Sequence, residues 1–314
     1  MKNLMLLMLS LFILYSCKQK TAEEYYEIGN AKSTDVDFHE AIKNYSYAIE
    51  INPKFAEAYY MRAKAYLDQN DFDIFLANES DKASIKNNGD RDLANKDLNK
   101  AIELNPKYID AYKTRAALKL ENGPNIDAFK DYNKLIELCP NNDEYYGLRA
   151  KLKYELNDFR SAIEDYKKAL KINPKGFLYY FEMGFIYGTI FYNPLFNKKE
   201  ELANYEKAYG IDTTNAYFLI NIANTKTEIK DHKGAIVCYT KYLESKYFNE
   251  SMFKKSDILI ERGKAKILAG MIESGLDDFS LAGELGNQDA YNAIAEYEGQ
   301  NGLNTKSWRG NIFH

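Results

Sequence analysis

Residues 101–106 read AIELNP, and nearly the same six letters close three other segments: AIEINP at 48–53, ALKINP at 169–174 and, more loosely, LIELCP at 135–140. Proline lacks a backbone N–H and clashes with the preceding turn, so each copy stops a helix. The aliphatic letters before it fall at helical rather than alternating spacing. Each copy therefore reads as the last turn of an amphipathic helix. The prolines are Pro53, Pro106, Pro140 and Pro174; the last two intervals are 34 residues, and the first is 53, one period plus 19. A fixed period of this size marks a repeat architecture.

Counting back from the prolines brings further residues into register. Pro53 gives Ala48, Tyr45, Ala41, Phe38, Asp37 and Gly29; Pro174 gives Ala169, Tyr166, Ala162, Phe159, Asp158 and Ala150. Pro140 gives Leu135, Tyr132, Ala128 and Ala116, with Pro124-Asn125 as the poorest turn, and Pro106 gives Ala101, Leu98 and Ala94. Small residues at two fixed places let paired helices approach, and an aromatic ring fills the space between them. The pattern continues past Pro174 with Gly184, Tyr187, Tyr205 and Ala208, then Ala223, Asp231, Ala235 and Tyr239, then Gly263, Gly275, Phe279 and Ala282.

This arrangement resembles the tetratricopeptide repeat, a helix–turn–helix unit of 34 residues. The resemblance implies an all-α fold: a right-handed α-solenoid of about seven such repeats with a C-terminal capping helix. The repeats fall near 22–55, 56–108 with an insertion at 71–90, 109–142, 143–176, 177–215, 216–249 and 256–288, with the cap at 289–298 and a tail at 299–314. The insertion is expected to be a long polar loop, since its carboxylates lack the spacing of a compact calcium loop. No single pair can bury its apolar face alone, so stability must come from repeat-to-repeat interfaces.

The first residues differ from all that follow. MKNLMLLMLSLFILYSC carries one charge, Lys2, and its apolar stretch is short for a membrane span. It has the proportions of an export signal. Leu14-Tyr15-Ser16-Cys17 resembles the bacterial lipobox, with Tyr15 bulkier than the usual middle residue. That resemblance implies a signal at 1–16, a lipid on Cys17, a tether at 17–21, and a body held close to a membrane. More than one acyl chain would make the attachment durable. Lys18 after the cysteine favours an outer-membrane destination. The expected location is the bacterial cell envelope, on a periplasmic or a surface face.

The chain of 314 residues is 46% hydrophobic and 28% charged, enough for a large folded body. Its formal charge of −4 gives no case for nucleic acid, where a basic face is expected. The 27 Tyr and 17 Phe suit the aromatic slots between helices rather than a base-stacking surface. Cys139 and Cys238 lie three repeats apart, too far for a disulfide, and read as small buried apolar residues.

No catalytic set is present. The histidines His39, His232 and His314 belong to no HExxH, and there is no CxxC, GxSxG, phosphate loop or GxGxxG. Neighbouring acids such as Glu23-Glu24 point about 100° apart on a helix, so they do not form a dyad. The chain reads as a non-enzyme without metal or cofactor.

In tetratricopeptide arrays the first helices line a concave groove. Carried onto this chain, the resemblance places Tyr60, Lys64, Lys113, Lys151, Tyr154, Leu178, Phe181, Phe185, Tyr217, Ile220 and Asn224 in a partner-binding groove. Leu178, Phe181, Phe185, Tyr217 and Ile220 form its apolar stretch, suited to a peptide helix or extended segment. Chaperone-type members clamp a terminal carboxylate with lysine, but Tyr26 stands at the first such place, so that activity is not carried over. Arg62, Arg115, Arg149 and Arg262 recur at one place, and Lys119, Lys153, Lys226 and Lys266 four residues later. They read as an internal ladder paired to acids such as Asp131 or Glu164. The expected function is a lipid-anchored scaffold or adaptor that binds a protein or peptide partner, in envelope assembly. The alternative is a glycan- or peptidoglycan-binding envelope protein, with Tyr60, Tyr154 and Tyr217 as stacking platforms.

Overall fold

The computed structural model describes residues 20–76, 89–120, 126–189, 195–248 and 253–301. The signal, Cys17 and most of the tail lie outside the described residues. Among those described there are fifteen α-helices and no strand. They form two compact units, Met1–Asn141 and Asn142–His314.

The first unit holds α1 (Ala22–Thr34), α2 (Phe38–Ile51), α3 (Ala56–Leu76), α4 (Asp90–Leu104), α5 (Ile109–Leu120) and α6 (Ile126–Leu138). The second holds α7 (Asp143–Glu155), α8 (Phe159–Ile172), α9 (Phe177–Gly188), α10 (Lys198–Ile211), α11 (Tyr217–Glu228) and α12 (His232–Leu243). It ends with α13 (Lys255–Leu268), α14 (Ile272–Glu284) and α15 (Gln288–Asn301). Within each unit every helix packs on the next, so both are stacks of helical hairpins.

The repeated ending does more than stop a helix. In three copies the last-turn Asn closes the helix with its backbone N–H, which donates to the alanine four residues back: Asn52 to Ala48 at 2.9 Å, Asn105 to Ala101 at 2.8 Å, and Asn173 to Ala169 at 2.8 Å. The same side chains then accept from the backbone beyond the proline, at Lys54, Lys107 and Lys175. Each Asn thus holds the chain as it leaves one helix and turns toward the next. Asp212 repeats both bonds without a proline, to Ala208 and from Thr214, so the fifth repeat keeps the turn that its sequence disguises.

Turns between paired helices share a left-handed residue followed by a capping position. Val36, Asn157 and Lys230 sit at φ near +60°, and Gly270 at +83°. The residue after each donates to the carbonyl five positions back, as Asp158 does to Lys153 at 2.8 Å. This is the Schellman closure. Asp37, Asp158 and Asp231 then cap the second helix through their carboxylates.

The cores follow the small–large register. Ala41, Tyr45 and Ala48 are fully buried, as are Ala94, Leu98 and Ala101. A Cβ on Gly29 would lie 2.5 Å from the Tyr45 ring, and one on Gly184 2.7 Å from the Tyr205 ring. The ring of the second helix therefore occupies the space that glycine leaves in the first. Burying a side chain such as Leu98 contributes about 1.5–3 kcal/mol.

Two expectations need correction. Residues 71–76 are not loop: α3 runs 21 residues, to Leu76. The rest of the expected loop, at 77–88, lies outside the described residues. Cys238 is buried as expected, but Cys139 at the end of α6 is only partly so; both thiols are free.

Candidate functional site

The ladder is real and internal. Arg62 donates Nε and Nη2 to Asp97 at 2.7 and 2.8 Å, and Arg115 does the same to Asp131. Arg149 pairs with Asp165, and Arg262 with Asp278. Lys119, Lys153 and Lys266 close on the same three acids, Asp131, Asp165 and Asp278. Within the units, the third arm reaches back to the preceding second helix: Arg62 to Ser46, Arg115 to Asn99, Arg262 to Thr240. One guanidinium thus ties three helices together.

The expected partner Glu164 is wrong by one residue: Glu164 is exposed and Asp165 takes the contact, with none of its side chain exposed. Burial pushes the Asp165 carboxyl up, but the bonds from Arg149 and Lys153 outweigh it and hold the group below its ordinary value. Lys226 departs from the ladder, pairing with Glu206 and Asp231 instead, because Ile222 and Cys238 stand where the arginine and aspartate would be. These basic side chains are occupied by acids and offer no free track for an anionic polymer.

The predicted groove residues divide by unit. In the first, Lys64 and Lys113 are exposed, while Tyr60 packs on Tyr108 with ring centroids 4.9 Å apart. In the second, Lys151 is exposed and Tyr154 meets Phe185 edge-on at 5.9 Å. Phe181 packs on Tyr205, Tyr217 and Phe218 at 5.4–5.8 Å. Tyr217 stacks on Phe253 at 5.8 Å with the planes 12° apart. Asn224 accepts a hydrogen bond from the Tyr239 hydroxyl at 2.7 Å.

Ile220 corrects the expected wall. It is 4% exposed and belongs to the core between α11, α12 and α13. Leu178 and Phe185 stand open, at 55% and 47%. Phe253 was not anticipated: it lies in a connection with no periodicity to mark it. The three supposed stacking platforms, Tyr60, Tyr154 and Tyr217, all spend ring surface on protein partners, so the geometry lends the glycan alternative no support.

Glu182 was also missed, although it is the one charge in FLYYFEMGFIYG (177–188). It is partly buried on α9 and makes no hydrogen bond or ion pair with a described residue. Burial raises its pKa, and Lys151 only partly opposes this. An apolar surface beside a carboxylate that Lys151 compensates only in part is therefore the distinctive feature of the first-helix wall in the second unit. Among the described residues no group of His, Cys, Asp and Glu could hold a metal ion, and no helix is long and apolar enough to cross a membrane.

With this geometry in place, the family model described as TPR repeat matches residues 37–70 and 150–190. Those two stretches carry tetratricopeptide repeats. The fold class is the all-α helical repeat solenoid, and two solved structures share it. One is the C-terminal part of a TPR repeat-containing protein from Cytophaga hutchinsonii, with a TM-score of 0.64 at 16% identity, over 85% of this chain and 98% of that one. The other is a tetratricopeptide repeat protein from Parabacteroides merdae, with a TM-score of 0.51 at 19% identity, over 85% of this chain and 94% of that one. No curated protein matches the chain.

Proposed function

We propose that this chain is a non-catalytic scaffold that binds a protein or peptide partner along the first helices of its tetratricopeptide repeats. The observation that carries the reading is the wall of α9. Leu178 and Phe185 are large apolar side chains left open beside Glu182, which pairs with no described residue. Exposed apolar side chains grouped beside a charge on the first-helix wall mark an interaction site. A peptide with apolar side chains and one cation would cover Leu178 and Phe185 and neutralise Glu182. We further propose that Cys17 is lipidated and holds the scaffold at the outer membrane of a bacterial cell envelope, where it takes part in assembly. This second part rests on the N-terminal sequence alone.

A photo-reactive residue placed at Phe185 in the full chain should cross-link, in envelope preparations, to one defined protein. The same residue at Val237, an exposed position on the second helix α12, should not. Equal labelling at both positions, or none, would remove the groove reading. Growth with an alkyne-tagged fatty acid should label the wild-type chain and leave Cys17→Ser unlabelled.

A further inference from the structure

A cavity of about 360 Å³ opens between α8 and α10, on the side formed by second helices and away from the wall described above. Tyr180, Met183 and Tyr187 of α9 form its floor and sides, and Lys167, Lys171 and Lys207 stand around it. The first unit has a cavity built on the same pattern, about 540 Å³, over Tyr59, Arg62 and Tyr66. There the floor is the Arg62–Asp97 ion pair, and Lys100 at the rim is bound to Glu103 at 2.7 Å. Two of its three cations are thus paired, and Lys96 alone forms no ion pair with a described residue.

The second cavity pairs none of its cations with a described residue. Met183 and Asn204 replace the arginine and aspartate, so the floor carries no charge. None of the three lysines forms an ion pair with a described residue, and Glu200 is the only acid in the lining. Lys167 and Lys171 are one helical turn apart, a spacing at which like charges repel. Lys207 lies across the opening, its Nζ 5.5 Å from the centre of the Tyr180 ring. These cations surround an apolar floor in a chain whose net charge is negative.

We propose that this trough is a second docking site, for an acidic segment of a protein partner that carries one large apolar side chain between its carboxylates. The apolar group would rest on Met183 between Tyr180 and Tyr187. The flanking carboxylates would meet Lys167 and Lys171 on one side and Lys207 on the other. The cations are spread along two helices rather than converging on one point. A compact anion could satisfy one of them; an extended segment satisfies all three.

The test uses the full chain and the capped peptide Glu-Asp-Phe-Asp-Glu. With methyl-labelled methionine, the Met183 resonance, assigned through Met183→Leu, should shift with saturable dependence on peptide. Affinity should fall steeply with added salt, and the peptide Lys-Lys-Phe-Lys-Lys should cause no shift. Lys167→Glu with Lys171→Glu and Lys207→Glu should weaken binding at least tenfold, while helix content stays unchanged because all three side chains are exposed. Phe185→Asp should leave this binding intact, which separates it from the groove reading. No Met183 shift at millimolar peptide, undiminished binding by the triple variant, or equal binding of inorganic phosphate or phenylacetate would each overturn the proposal.

Discussion

In the fourth repeat, α7 and α8 are joined by Arg149 and Lys153 converging on Asp165, with 13%, 13% and 0% of these side chains exposed. In the fifth, the corresponding places in α9 and α10 hold Met183, Tyr187 and Asn204, and no charge crosses between them. The neighbours share a fold but not the means of closing it. The fourth gains orientation, since a forked guanidinium accepts few geometries. The fifth gives up that specificity and carries its charges elsewhere: Lys198 bridges Glu201 and Glu228, and the Thr225 hydroxyl donates to Glu201 at 3.0 Å. Losing the ladder leaves the floor of the fifth repeat's cavity without charge, and Glu182, on the other side of α9, pairs with no described residue. Both proposed sites therefore lie where the regular pattern stops.

The largest effect should come from breaking the fourth repeat's pair. Asp165→Asn leaves Arg149 and Lys153 buried without their counter-charge, and removing one member of a buried pair costs about 3–5 kcal/mol. Asn204→Ala, its counterpart in the fifth repeat, removes only a side-chain bond to the Glu200 carbonyl and should cost about 1 kcal/mol. Hydrogen exchange resolved by helix should show α7 and α8 opening in the first variant and little change in the second. Similar losses in both would mean that the ion pair holds nothing that packing does not.

Acid should separate the two repeats with opposite signs. Asp165 has its folded pKa lowered, so its contribution is present above the unfolded value of about 3.9 and fades as pH falls through the folded value. Glu182 has its folded pKa raised, so its burial penalty is fully felt at neutral pH and lifts as the group takes up a proton. Lowering the pH from 7 should first increase protection in α9. Below about pH 4 it should reduce protection in α7 and α8. Glu182→Gln should abolish the first change and leave the second. A fall in α9 protection over the upper range would contradict the assignment of Glu182 as a carboxylate penalised by burial.

What the sequence disclosed followed physical necessity. Helix-stopping prolines, and small residues facing rings such as Gly29 and Tyr45, leave marks because few alternatives fit. The turn at Asp212 was harder to see, because the proline is missing while the side-chain bond that shapes the turn remains. Asp165 is legible from the period, standing 34 residues after Asp131; Glu164 beside it points about 100° away around the helix and so misses the arginine. Ile220 was assigned to the open wall by its place in the repeat; its burial depends on aromatic neighbours, including Phe253, supplied by a connection that no period governs. Residues 71–76 extend α3 because DFDIFL contains neither Gly nor Pro to end it. The exposed Leu178 and Phe185 were legible, whereas the carboxylate beside them became visible only when its surroundings were known.

The smallest effect concerns the turns. The fourth repeat places Asn157 at φ 61°, a conformation asparagine tolerates, whereas the first places Val36 at φ 62°. A β-branched residue there is strained, and the left-handed region costs an ordinary residue about 1–2 kcal/mol. Glycine would remove that cost but lose about 0.5–1 kcal/mol more backbone entropy on folding. Val36 is half exposed, so little packing is lost with it. Val36→Gly should therefore stabilise the first unit by about 0.5–1 kcal/mol, against a few tenths for Asn157→Gly in the second. Urea unfolding of the two variants beside the wild type would measure the difference. Destabilisation by Val36→Gly would show that the valine side chain holds the first turn by packing, and that the shared left-handed closure is not what unites the repeats.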